Sequence, residues 1–303
     1  MTLTAALTAA LKGERFEFDG ISCYVAGSGP PLLLVHSVNA AASAAEVRPL
    51  YEHFSAERAE ERTAARTVFA LDLPGYGFSD RSDRAYTPRL MTDAMHAMAA
   101  QIRQRCGNAP LDALAVSLGC EFLARAATEQ PAHWGRIALV SPTGFLGKTP
   151  RRGPPGSTRG LPWLHRLVSN PRWAQALFRG LTRPGVVRYF LKRTWGSKHI
   201  DEALWAYDVL TARQPGAHHA PLHFLSAGLF SADIHSVYDA LRGPVWACHG
   251  VRGDFTDYRG MALVPAVAGW QCTVYPTGAL PYFEVPEAFN ADLDRFLAGA
   301  AVA

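Results

Sequence analysis

Leu111-Asp112-Ala113-Leu114-Ala115-Val116-Ser117-Leu118-Gly119-Cys120 is the stretch on which the fold of this chain turns. An apolar run of strand length, Leu111–Val116, leads into one serine, and Leu118–Thr128 continues with helix-forming residues. Ala115 and Gly119, two places either side of Ser117, are both small. A serine on so sharp a strand-to-helix turn needs small neighbours at these two positions, because strand and helix approach closely there. The turn lifts the hydroxyl clear of the sheet and leaves the Leu118 amide at a helix N-terminus, where it can face an anion. A serine that merely caps a helix after a strand would read the same way, so the flanking sequence has to decide.

Outward from Ser117 the chain alternates strand and helix, the pattern of a mostly parallel sheet flanked by helices, an α/β fold. Phe16–Asp19 and Ile21–Ala26 read as an opening pair of strands and Leu32–Val35 as a buried strand. A helix is expected over Ala42–Phe54, a strand over Thr67–Leu71, a helix over Thr87–Arg105 and a strand over Ile137–Val140. The period then breaks. Gly147–Gly160 is rich in Pro, Gly and Arg, and from Pro162 to about Ala232 only helical patterning is found. Alternation resumes with strands at Val245–Cys248 and Gln271–Val274, and helices near Asp257–Ala268 and over Pro286–Leu297. The simplest division is a core of residues 1–146 and 233–303 interrupted by a helical cap, 147–232. Met1–Gly13 reads as a short helix rather than a signal peptide, since it lacks a basic leading region.

Composition excludes several classes. Of 303 residues, 49% are hydrophobic and 18% charged, which supports a large buried core. No apolar run reaches the roughly 18 residues of a membrane span, so no stable membrane insertion is expected. The five cysteines, Cys23, Cys106, Cys120, Cys248 and Cys272, show no metal-ligand spacing. Neither a metal nor another cofactor is expected, and an odd, scattered set of thiols suits a cytoplasmic setting. The net charge of +4 is unevenly placed: Gly147–Pro215 carries 13 Lys and Arg against 3 Asp and Glu. No recognised module accompanies that charge, so nucleic acid is not expected as a partner.

Leu33-Leu34-Val35-His36, Asp72-Leu73-Pro74-Gly75-Tyr76-Gly77-Phe78-Ser79, Ala115-Val116-Ser117-Leu118-Gly119 and Phe283-Glu284-Val285-Pro286-Glu287 occur in one order along the chain. Together they resemble the α/β-hydrolase superfamily, in its serine-nucleophile branch, over about Phe16–Leu146 and Arg242–Ala298. The resemblance implies a nucleophile at Ser117 and oxyanion-binding amides from Leu118 and the His36-Ser37-Val38 region. It also implies an acid after a late strand and a histidine after the last one. Asp254, following the strand Val245–Cys248, fits the acid position better than Asp233 or Asp257.

The histidine is where this chain departs from the pattern. The family's Gly-His-x-Pro-x-x-Glu-x-Pro frame aligns without gaps to Gly278-Ala279-Leu280-Pro281-Tyr282-Phe283-Glu284-Val285-Pro286, and the histidine position holds Ala279. No histidine follows His249. A serine hydroxyl without a base in reach is a poor nucleophile. His249, on the same strand end as Asp254, is the first substitute to consider, with His218, His219 and His223 behind it. The functions this leaves open are a serine carboxylesterase or thioesterase, a non-hydrolytic binding protein, and a lyase-type catalyst on the same fold.

The helical stretch suggests the ligand. It holds Trp163, Trp173, Trp195 and Trp205, and its helical periodicity puts Trp173, Leu177, Phe178 and Leu181 on one face. Such a stripe packs onto the core or lids an apolar pocket. With arginines around it, the expected partner is a small apolar molecule, one carrying an anionic group among the options.

Overall fold

The computed structural model describes residues 5–56 and 65–302. Eight strands form one sheet: β1 (Glu14–Phe18), β2 (Ile21–Ala26), β3 (Pro31–Val35), β4 (Thr67–Asp72), β5 (Leu111–Val116), β6 (Trp134–Val140), β7 (Val245–Gly250) and β8 (Gln271–Tyr275). Their spatial order is β1-β2-β4-β3-β5-β6-β7-β8. β2 runs antiparallel to both β1 and β4, and every other neighbouring pair is parallel. The two strands carrying the site are adjacent, with Leu34 opposite Leu114 and Val35 opposite Ala115.

Residue alternation sorts the core into two layers. Leu33, Val35, Ala113, Ala115 and Leu139 face one side and pack with α2 (Pro88–Cys106) and α3 (Gly119–Glu129). Leu32, Leu34, Leu114, Val116 and Val140 face the other, against α1 (Arg48–Ser55) and, near the C-terminus, Phe289, Leu293 and Phe296. Burial on both faces explains why these strands read as unbroken apolar runs.

Between β6 and β7 the chain adds no strand to the sheet. It forms α4 (Pro162–Val168), α5 (Ala174–Leu181), α6 (Pro184–Trp195), α7 (Glu202–Thr211), α8 (His219–Leu225) and α9 (Ile234–Ala240). The two ends of this helical segment are pinned together. Gly153 N–H donates to the Ala232 carbonyl (3.0 Å), Ala232 N–H to Ser157 (2.9 Å) and Arg159 N–H to Phe230 (2.9 Å). After β8 come α10 (Pro281–Glu284) and α11 (Pro286–Leu297).

Three helical expectations are corrected. Residues 5–13 are not helical, and Met1–Thr4 lie outside the described residues. Side chains take this segment's backbone groups instead: Gln214 donates to the Ala5 carbonyl, Tyr207 to Thr8 and Tyr51 to Lys12, while Ala10 N–H donates to the Tyr24 hydroxyl. The stretch 42–54 is a 3-10 turn (Ala44–Val47) followed by α1, with Pro49 in the first helical turn. Residues 257–268 form two 3-10 turns, Arg259–Leu263 and Pro265–Gly269, because Pro265 cannot continue the first.

Candidate active site

Ser117 sits directly after β5 with φ +52°, in the left-handed region. An L side chain adopts that conformation at a cost of about 1–3 kcal/mol, so the surroundings must hold it there. Its N–H donates to the Val140 carbonyl at the end of β6 (2.8 Å), and its carbonyl accepts from the Cys120 amide (3.1 Å). A Cβ on Gly119 would lie 2.6 Å from the His36 carbonyl oxygen, so α3 closes onto β3 only with glycine there. The turn after β4 is equally tight: a Cβ on Gly77 would collide with the Asp72 carboxylate, which accepts the amides of Ala44 (2.8 Å) and Phe78 (2.9 Å).

Ser117 opens onto a cavity of about 140 Å³. Ser37, Val38, Glu46, Leu118, Ser141 and Ala279 line it with Ser117, and the helical segment adds Leu191, Thr194, Phe224 and Phe230. Among the described residues, nothing hydrogen-bonds the Ser117 hydroxyl, and neither the Leu118 nor the Val38 amide donates a hydrogen bond. A larger hollow of about 950 Å³ lies between the helical segment and Ala5, lined by Phe178, Arg179, Val209, Arg213 and His218, and does not reach Ser117.

The loop after β3 narrows the choice among the amides expected to face an oxyanion. His36 is fully buried, its Nδ1 donating to the Ser37 carbonyl (2.5 Å) and its Nε2 accepting the Leu73 amide (2.9 Å). Burial lowers its pKa to about 4, so it is a neutral brace for the loop and does not line the cavity. Ser37 does line it, but its amide donates to Glu46 Oε2 (2.5 Å) and its hydroxyl to Oε1 (2.7 Å). Of the two residues that line the cavity, that leaves Val38 with the free amide.

The expected acid and base are not brought to Ser117. Asp254 is exposed and forms an ion pair with Arg193 of α6 (2.5 Å). His249 stacks on Tyr258 with ring centroids 3.8 Å apart, and its Nδ1 faces the Gly250 carbonyl (2.9 Å). Burial lowers the His249 pKa. Neither side chain lines the cavity. His218, His219 and His223 lie with His165 and Asp83 around a separate hollow of about 420 Å³, His165 against His223 at 3.9 Å between centroids. Among the described residues no group of three or more His, Cys, Asp or Glu could hold a metal ion.

Sequence reasoning passed over two of the lining residues. Ser141, after β6, has φ +48° and donates from its hydroxyl to the Ala279 carbonyl (2.7 Å). Glu46 stands alone among small residues in Ala40-Ala41-Ala42-Ser43-Ala44-Ala45-Glu46-Val47, and a single acid in such a run was the available clue. Ala279 itself is buried and donates its N–H to the Thr194 carbonyl (2.9 Å).

Residues 30–199, more than half the chain, match the family model for the α/β-hydrolase fold. The chain belongs to that family. Solved structures agree on the fold of this α/β-hydrolase. An enol-lactonase from Burkholderia xenovorans LB400 superposes with TM-score 0.67 at 16% identity, covering 94% of this chain and 100% of that one. An epoxide hydrolase gives 0.69 at 19% identity over 95% and 99%. A 2-hydroxy-6-oxo-6-phenylhexa-2,4-dienoate hydrolase from Rhodococcus sp. strain RHA1 gives 0.67 at 16% over 94% and 97%. No curated protein matches the sequence.

Proposed function

We propose that this α/β-hydrolase is a serine hydrolase of the carboxylesterase or thioesterase type, with Ser117 as nucleophile. One observation carries the reading: a serine held in a left-handed turn, its hydroxyl unbonded, opens on a cavity that two unbonded amides also reach. Tetrahedral intermediates need donors aimed at the developing oxyanion, and the amides of Leu118 and Val38 take that role here. Leu191, Phe224, Phe230, Phe255 and Leu280 give the cavity an apolar wall, and its volume favours a small apolar acyl group. Helices of segment 147–232 supply part of that wall, which makes the segment a cap over the site; its arginines suit a substrate with an anionic end.

A second reading is favoured by the absence of histidine from the cavity lining, with Ala279 where the family's histidine is expected. In that reading the protein binds its ligand without turnover. In a serine hydrolase, losing serine or histidine costs on the order of 10⁶ in kcat.

A fluorophosphonate probe separates the two. Covalent labelling of the wild-type protein, lost in Ser117→Ala, is the expected result. Absence of labelling in the folded wild-type protein favours the binding reading.

A further inference from the structure

Glu46 is a buried ionisable group with no assigned work, and it shares the cavity with Ser117. It lies on the 3-10 turn Ala44–Val47 between β3 and α1, only 7% exposed. Among the described residues no cation pairs with it; Arg48, two residues on, pairs instead with Asp201 at 3.0 Å. The groups that face it are acidic or neutral. From α7 comes Asp208, 4% exposed and without a side-chain hydrogen bond among the described residues. From α10 comes Tyr282, whose buried hydroxyl also has no partner there and whose titration is raised first by burial and then by Glu46. Asp72 binds the neighbouring Ala44 amide, and His36 is held neutral.

A carboxyl kept only to bind Ser37 could be an amide, which avoids the desolvation of an unpaired charge. Burial instead pushes Glu46 up to about 7, while the two bonds from Ser37 pull it the other way. Asp208 is raised well above the carboxylate range, first by burial and then by the charge on Glu46. A carboxylate lining the same cavity as a nucleophile that lacks a base, with its titration pushed up toward neutrality by burial, has the features general-base catalysis uses.

We propose that Glu46 is the proton acceptor for Ser117, doing the work the absent histidine would do; the proposal rests on Ser117 being the nucleophile. The Ser117 oxygen bonds to the ester carbonyl carbon, its proton passes to the Glu46 carboxylate, and the carbonyl electron pair moves onto the oxygen facing Leu118 and Val38. Collapse breaks the bond to the leaving group, which departs with the proton from Glu46. Water then adds to the acyl carbon, giving a proton to Glu46 that returns to Ser117 as the acid product leaves. One negative charge moves from Glu46 to the oxyanion and back, so two like charges never share the cavity.

The test is the rate of fluorophosphonate labelling by the full chain from about pH 5 to about pH 9. The sign follows from the base: labelling falls as pH drops through about 7, where Glu46 becomes protonated, and levels off above it. Glu46→Gln is expected to slow labelling by about 10²–10⁴-fold and to remove that midpoint. Glu46→Asp, which keeps the carboxylate one methylene shorter, is expected to label slowly with a midpoint retained. A wild-type profile flat across the range, or Glu46→Gln labelling at the wild-type rate with the same midpoint, overturns the role of Glu46 and leaves Ser117 intact. Failure of wild-type Ser117 to label at any pH overturns the nucleophile reading itself. The wild-type profile does not depend on any variant folding.

Discussion

On the sheet, Leu32–Val35 are wholly buried, and the carboxylates beside them are tied to backbone amides, as Asp72 is to Ala44 and Phe78. The helical segment 147–232 differs: among the described residues it carries eight of the twelve large apolar side chains exposed to solvent, among them Trp163 at 64% and Phe190 at 55%. There Arg166, Arg172, Arg179 and Arg183 have no carboxylate partner among the described residues, whereas the acids of the core are mostly engaged. The cavity takes its floor from the first region and much of its wall from the second. Changes in the floor should therefore move stability and chemistry together, while most changes in the helical segment should leave stability alone.

The largest effect expected is a gain. Ala279→His would place an imidazole in the lining beside Ser117, and a general base typically contributes about 10²–10⁴-fold. Set in the Glu46→Gln background, where the proposed base is removed, this substitution should raise p-nitrophenyl acetate hydrolysis by about 100-fold or more. An unchanged rate would show that position 279 is not where a base reaches the serine.

The next two sharpen the contrast between regions. Phe178 is 2% exposed and clusters with Ala41, Ala212 and Ala217, so it anchors α5 to the loop after β3. Phe178→Ala should cost about 3 kcal/mol, whereas Trp163→Ala should stay within about 0.5 kcal/mol, both read by denaturant unfolding. Equal losses would mean that the exposed face of the helical segment is packed as tightly as its anchor at Phe178. In the floor, Gly119→Ala drives a methyl against the His36 carbonyl and should cost about 1–3 kcal/mol, with slower Ser117 labelling. Unchanged unfolding and labelling would mean that the turn has room to relax.

The fold was legible because the signals were local. Buried parallel strands produce unbroken apolar runs, and the turn at Ser117 demands small residues at 115 and 119, visible without coordinates. The helical segment was legible as helices but not as packing. The face read from periodicity at Trp173, Leu177 and Phe178 splits, with Phe178 buried and Trp173 41% exposed. Trp173 stands one residue before α5 and donates from its indole to the Leu167 carbonyl (2.8 Å), so helical spacing does not govern it. The N-terminal stretch failed as a helix for a related reason: distant tyrosines satisfy its backbone, which no local pattern records. At the site, Ser117 and Leu118 follow from the motif. Glu46 does not, because the cavity it lines is assembled by residues hundreds of positions apart.

Asp254 is where reading by position and reading by geometry part most clearly. Its place after β7 fits a triad acid, and such an acid acts by holding a histidine in the right orientation. Here its carboxylate turns outward to Arg193, its amide donates to the Arg193 carbonyl (3.1 Å), and no histidine stands between it and Ser117 in the cavity lining. With no imidazole to orient, the carboxylate has nothing to transmit to the serine. It serves to dock α6 against the loop after β7, and an exposed pair contributes little to stability. Asp254→Asn keeps the size and one hydrogen-bond acceptor, so the rate and pH midpoint of Ser117 labelling should stay at wild-type values. A fall of several orders of magnitude would mean that α6 moves in solution, frees Asp254 from Arg193, and lets it meet a histidine that this arrangement keeps away.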